Sequence, residues 1–426
     1  MPINTAVPGA REYYPLNEPA IGTHMAGEQP ELFKPLEIKG VTFKNRIFVS
    51  PMCQYSSADG HATDWHFVHV GASMLGSGFL FDADLLLAMN EQGFATRGVG
   101  AICIEATSIV PEGRISPEDA GLWTDSQMGP LKRIVEFAHS QGTKIGIQLA
   151  HAGRKASTYA PWIGNKKPQG SSWVATQEEN GWPDNVYAPS AIPWSDTYPN
   201  PKAMTEEDMQ YVEDAFAAAV KRCREIGCQT DDFIEVHAAH GYLMSSFVSP
   251  LSNNRTDQYG GSLENRLRFP NRILQRIRSE WQDKPLFVRI SATDWAEGPE
   301  KSEDGTWLQF GIEQSIIWVE KMLSLGVVDM LDCSTGGNWS KQKIPAIEHG
   351  YQVPFAEAIK KAHPSLIVGT VGAITDPVLA ESYLKDGKAD LVILARELMR
   401  NPHWALSAAK ALGCKVKAAN QYERAW

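Results

Sequence analysis

The sequence predicts one closed (β/α)8 TIM barrel with a long capping segment after the third strand. Three observations lead there. Eight short apolar runs recur along the chain, each ending in a polar or glycine-rich turn. Helix-like segments alternate with them, as a parallel α/β sheet requires. The dinucleotide fingerprint G-x-G-x-x-G is missing after the first run, which weakens the case for an open doubly wound sheet.

Taken in order, residues 1–30 are rich in Pro, Gly and polar side chains and read as a flexible N-terminal extension, with the barrel domain expected over 31–426. Strands are expected at Arg46–Ser50, Ala101–Thr107, Lys144–Leu149, Phe233–His237, Leu286–Ser291, Asp329–Cys333, Leu366–Thr370 and Asp390–Ala395. Helices are expected at Gln127–Gln141, Thr205–Gly227, Leu263–Trp281, Phe310–Leu325, Phe355–His363 and Pro377–Asp386. Thr205 followed by Glu206, Glu207 and Asp208 has the pattern of an N-cap with an acidic first turn. Residues 155–204 break the alternation. They form a Trp- and Pro-rich connection with Trp162, Trp173, Trp182 and Trp194, expected to be a lid or pocket wall. Residues 75–94 form an atypical insertion with no chemical role of its own.

Composition narrows the class. A chain of 426 residues with 43% hydrophobic and 21% charged content suits a packed globular protein rather than a disordered one. Its formal charge of -10, with no basic run, argues against general nucleic-acid binding. The six cysteines include no C-x-x-C pair, which suits reduced thiols in a cytoplasmic protein better than a zinc ribbon or iron–sulfur cluster. Neither a basic-then-apolar leader nor an apolar span of about 18 residues is visible, so no membrane association is expected.

Chemistry in a barrel belongs at the carboxyl ends of the strands. The fourth strand ends in His237, His240 and Tyr242, two imidazoles and a phenol able to hold an anionic oxygen and supply a proton. Elsewhere the strand ends offer Ser50-Pro51-Met52-Cys53-Gln54-Tyr55, Glu105-Ala106, Gln148 through Lys155, Arg289, Gly372, and Ala395-Arg396. A planar cofactor with one phosphate tail would use them jointly. Arg289 would lie at its electron-rich edge, Gln148 at its polar edge, and Gly372 with Arg396 at the phosphate. Bland readings stand beside this one: Cys53 as a small buried hydrophobe, Arg396 as a surface cation, and His-x-x-His as a metal pair.

These motifs resemble the old yellow enzyme family of flavin-dependent ene-reductases, in its thermophilic-like branch, from about Leu32 to Trp426. The resemblance is carried by Lys44-Asn45-Arg46, Ser50 to Tyr55, Pro111-Glu112-Gly113-Arg114 and Gln148 to Lys155. It continues through His237 to Leu243, Phe247 to Asn253, Arg255-Thr256-Asp257, Tyr259 to Ser262, Glu264-Asn265-Arg266 and Gln421 to Trp426. It implies an FMN-containing barrel that takes hydride from NADPH and reduces the activated C=C bond of an unsaturated carbonyl or nitro compound. By carry-over Ser50, Pro51, Met52, Cys53, Ala106, Gln148, Arg289, Gly372, Ala395 and Arg396 would hold FMN. Arg289 would favour the reduced, anionic flavin by charge pairing. His237 and His240 would grip the substrate oxygen and Tyr242 would protonate the α-carbon. Cys53 would tune the flavin. Tyr55 and Lys155 would belong to the substrate pocket, as would Arg424, expected to reach a neighbouring subunit of a homodimer or larger assembly.

Three departures from the family pattern stand out. Ala395 replaces a common glycine before the phosphate arginine. The fourth strand is approached through a longer Gly227–Asp232 segment. The 75–94 insertion falls where the family has its first barrel helix, and it reads as sequence foreign to the mature protein rather than a surface excursion. The competing functions are a metal-dependent barrel hydrolase or aldolase using His237 and His240, and a flavin-binding barrel inactivated by the insertion.

Overall fold

The structure is a computed structural model that describes residues 17–70, 93–228 and 232–426. Nearly all of the 75–94 insertion, and Gln229 to Asp231 before the fourth strand, lie outside the described residues.

Eight parallel strands close into a barrel in sequence order. They are β1 (Ile47–Val49), β2 (Ala101–Ser108), β3 (Lys144–Ala150), β4 (Phe233–Ala238), β5 (Leu286–Ser291), β6 (Met330–Ser334), β7 (Ile367–Val371) and β8 (Leu391–Leu394). All eight coincide with the expected runs to within one residue at every end. Closure is made by β8 on β1, with Val392 opposite Ile47. The longer approach to β4 leaves its register intact, with Gly146 opposite Phe233. Asp232 anchors it by accepting from the Ile145 N–H at 2.9 Å and from His139 Nε2 at 2.7 Å.

Side chains on these strands alternate between two environments. On β4, Ile234, Val236 and Ala238 face the surrounding helices and join the large outer core. Phe233, Glu235 and His237 face the barrel axis and climb from an apolar floor through an ionic level to the mouth. The same ascent occurs on β5 as Phe287, Arg289, Ser291 and on β6 as Met330, Asp332, Ser334. The floor is aromatic: Phe233 and Phe287 stack with centroids 4.3 Å apart, and Phe43 and Phe48 meet them within 6.2–6.4 Å. A hairpin of Leu36–Ile38 and Val41–Phe43 contributes Phe43 and plugs that end. Gly146 makes the floor possible, because a Cβ there would come within 2.5 Å of the Phe233 ring.

Helices cover the outside. Glu206–Ile226 begins at the expected N-cap, where Thr205 Oγ1 accepts from the Asp208 N–H at 3.2 Å and the Asp208 carboxylate accepts from the Thr205 N–H at 2.8 Å. Within the 1–30 stretch, His24–Ala26 pairs antiparallel with Lys415–Val416, and Ile21 is fully buried. That part is fixed against the barrel.

Residues 155–204 form a cap without a long element of their own. Trp194 Nε1 donates to Gly337 O at 2.9 Å and Trp182 Nε1 to Glu112 O at 2.9 Å, tying the cap to the loops after β6 and β2. Buried Arg154 strengthens the first tie, donating to Asn338 O at 2.6 Å.

Candidate functional site

The ionic level beneath the mouth is built from four strands. Arg289 Nε lies 3.2 Å from Asp332, and Arg289 Nη1 donates to Ser50 Oγ at 3.1 Å. Beside them Gln148 Nε2 donates to Glu235 at 2.6 Å. Burial, then the neighbouring Asp332, pushes the Glu235 carboxyl up to about 8. A guanidinium and a primary amide, both buried, therefore flank one level of the barrel. Of this set, Ser50, Gln148 and Arg289 were expected. Glu235 and Asp332 were not, although an acidic residue inside an otherwise apolar run was the visible signal.

Above this level β4 delivers the histidines. His237 Nε2 and His240 Nδ1 lie 3.4 Å apart, and the His237 ring meets the Tyr242 ring edge-on with centroids 4.8 Å apart. His240 and Gly241 have left-handed backbones, φ 59° and 74°, which turn the chain so that His240 swings back toward His237. The strained His240 is held by its N–H donating to Ser291 Oγ at 2.9 Å. Burial first, then the Arg289 charge, keeps both imidazoles well below their usual pKa, so each is neutral near pH 7.

Tyr242 is held protonated. Burial, followed by the charges of Cys53 and Asp119, puts its pKa well above that of free tyrosine. Cys53 is half-buried, and burial with Asp119 and Glu105 raises its thiol pKa in the same way. It is therefore no activated nucleophile. Tyr55 (φ 48°) packs edge-on against Trp162 of the cap at 5.6 Å. Lys155 Nζ donates to His240 O and Gly337 O, both at 2.9 Å, so the expected substrate-pocket lysine braces the histidine loop. Arg424 lies on the Asn420–Ala425 turn and is not among the residues lining the cavity described next.

A cavity of about 720 Å³ runs from Arg289 and Ser334 to Gly372, Ala395 and Arg396. Its far wall depends on Gly372 (φ 125°), where a Cβ would come within 2.7 Å of Gln352 Nε2. Ala395 has φ −115°, so replacing the family's glycine there demands no left-handed backbone. A phosphate between Gly372 and Arg396 and a ring edge beside Arg289 match this donor set, and the residues fit FMN. Ser50, Gln148, Arg289, Gly372 and Arg396 would hold it. Ala106 contributes main chain beside Cys53, while Pro51 and Met52 carry the β1 loop past it.

The metal reading of His-x-x-His finds no further ligands. Among the described residues, no three His, Cys, Asp or Glu side chains are placed to share a cation. Among them also, no helix is long and apolar enough to cross a membrane.

Comparison with known proteins gives the family. The model of the NADH:flavin oxidoreductase / NADH oxidase family matches residues 31–414. The chain is 44% identical to an NADH:flavin oxidoreductase of Gibberella zeae over 425 residues, 99% of this chain and 95% of that one. It is 40% identical to an NADPH dehydrogenase of Geobacillus sp. over 401 residues, 93% of this chain and 98% of that one. Among solved structures, morphinone reductase superposes with a TM-score of 0.66 at 22% identity, covering 92% of each chain, which bears on the fold alone. The chain therefore belongs to the NADH:flavin oxidoreductase / NADH oxidase family, that of the old yellow enzymes, and is an oxidoreductase of it.

Proposed function

We propose that the protein is an NADPH-dependent ene-reductase that reduces the activated C=C bond of α,β-unsaturated carbonyl or nitro compounds. One observation carries this reading: two neutral imidazoles converge at 3.4 Å beside a phenol held protonated, directly above a buried arginine level. FMN, held by the residues named above, would supply the relay of hydride from NADPH to the β-carbon of the alkene.

The protein's own residues do the rest. His237 Nε2 and His240 Nδ1 donate to the substrate oxygen and stabilise the negative charge that develops there, which makes the β-carbon electrophilic. Neutral imidazoles suit this task, since they donate without surrendering a proton to the oxygen. Tyr242 Oη gives its proton to the α-carbon. Arg289 would hold the flavin edge that gains negative charge, and Asp332, 3.2 Å from its Nε, keeps that guanidinium in place. Tyr55 and Trp162 wall the pocket and exclude water. The homologous assembly would add Arg424 from one subunit to the pocket of the next, in a homodimer or larger oligomer.

The purified protein is expected to be yellow, to bleach on anaerobic addition of NADPH and to recolour with 2-cyclohexenone. The double variant His237→Ala, His240→Ala is expected to keep its flavin and lose the long-wavelength band that phenol induces. A protein that cannot be loaded with FMN, or a double variant that keeps the phenol band, overturns the reading. Stoichiometric zinc without flavin would instead favour the hydrolase alternative.

A further inference from the structure

Ser334 ends β6, is 3% exposed and lines the cavity, and no part of the mechanism above uses it. Its Oγ lies 2.8 Å from His240 Nε2, the ring nitrogen facing away from His237. We propose that Ser334 is a positioning residue that sets the tautomer of His240: it donates its hydroxyl proton to Nε2 and so leaves the ring proton on Nδ1, facing the substrate oxygen. The inference rests on the functional reading above and adds to it the residue that arms one of the two donors.

The proton assignment follows from where each neighbouring proton can go. The Ala239 N–H donates to His237 Nδ1 at 3.2 Å, so that nitrogen is bare and neutral His237 carries its proton on Nε2. For His240 the choice depends on the single Ser334 hydroxyl proton. Apart from His240, its other acceptor is Gln352 Oε1 at 3.4 Å, a long contact. That oxygen already accepts the Thr335 hydroxyl at 2.6 Å, which makes it the weaker competitor for the Ser334 proton. The Gln352 amide cannot turn to change this, because its Nε2 donates to Val371 O at 2.7 Å. The 2.8 Å contact therefore takes the Ser334 proton, and Nε2 of His240 is the acceptor.

The ring is fixed from a second side. Ser291 stands opposite Ser334 in the β5–β6 register. It accepts the His240 N–H at 2.9 Å, while its own proton goes to Gly336 O at 2.7 Å. Two serines on adjacent strand tips thus hold the backbone and the ring of one histidine. As a result two N–H groups face each other across 3.4 Å, and neither can accept from the other. An oxygen about 2.9 Å from both satisfies both. Burial and Arg289 keep the pair uncharged, so the tautomer, not the charge, decides whether the second donor exists.

The test is long-range 1H–15N correlation spectroscopy of the FMN-loaded protein near pH 7.5, with the rings assigned through His237→Asn and His240→Asn. The expected wild-type result is a protonated Nδ1 on His240 and a protonated Nε2 on His237. In Ser334→Ala, His240 is expected to move its proton to Nε2, and phenol is expected to bind about tenfold more weakly, with Ser334→Thr restoring both. A protonated Nε2 on His240 in the wild type overturns the proposal. So does an unchanged tautomer with unchanged phenol affinity in Ser334→Ala. Should that variant not fold, the wild-type spectrum decides alone. It also decides if the wild-type protein binds no phenol, the result that would remove the functional reading.

Discussion

Tyr242 is useful because it stays a phenol. Burial and the charges around it raise its pKa far enough that ionisation would not compete with the proposed proton delivery at ordinary pH. Alkene reduction is therefore expected to show no falling limb from this group up to about pH 10, the range in which free tyrosine ionises. Tyr242→Phe is expected to slow that half-reaction by about 10²–10⁴-fold and leave reduction by NADPH nearly intact. Stopped-flow measurement of the two half-reactions checks this, and equal loss in both would remove the proton-donor role. Asp119, on the same side of the site, gives a stability prediction. Burial raises its pKa to about 8, above the unfolded value of about 3.9. A raised folded pKa favours the fold fully below the unfolded value, and that contribution is lost as pH rises toward 8. Asp119→Asn, which keeps an oxygen for the Ile115 N–H at 2.6 Å, is expected to stabilise the protein at pH 8 by on the order of 1–3 kcal/mol and hardly at all at pH 4. Thermal unfolding at both pH values measures the difference.

At the scale of elements, what the sequence reveals depends on how local the cause is. The Thr205 cap is legible because donor and acceptor stand three residues apart, and the structure has both halves of that capping box. Thr205→Ala is expected to cost about 1 kcal/mol in urea unfolding, with activity unchanged. The strands are legible for a related reason, since a short apolar run ending in a turn is a local pattern. The tip of β6 was not. Asp332 and Ser334 acquire meaning only when the barrel places them beside Arg289 and His240, which are distant in sequence. The interior ionic level is an intermediate case. Gln148 and Arg289 stand out as polar residues within apolar strands, whereas Glu235 is overshadowed by the more conspicuous His237 beside it. The cap was expected as a wall, but its anchoring through Trp182, Trp194 and Arg154 depends on loops that the spacing alone does not bring together.

For the molecule as a whole, the cavity between Arg289 and Arg396 couples cofactor to fold. A ligand that binds only the closed barrel stabilises it by mass action. FMN at 100 times its dissociation constant is expected to add about 2.7 kcal/mol, and removing it should lower the melting temperature in a concentration-dependent way. A melting temperature indifferent to FMN would mean that the folded protein does not bind flavin. The family match over 31–414 and the closed eight-stranded sheet make the barrel the unit that responds. That sheet closes through Ile47 and Val392, partners 345 residues apart. On a ribosome adding 5–20 residues per second, the first strand emerges roughly 20–70 s before its last neighbour exists. Throughout that interval one flank of Ile47–Val49 lacks the strand that will pair with it and leaves its amides and carbonyls open to other partners.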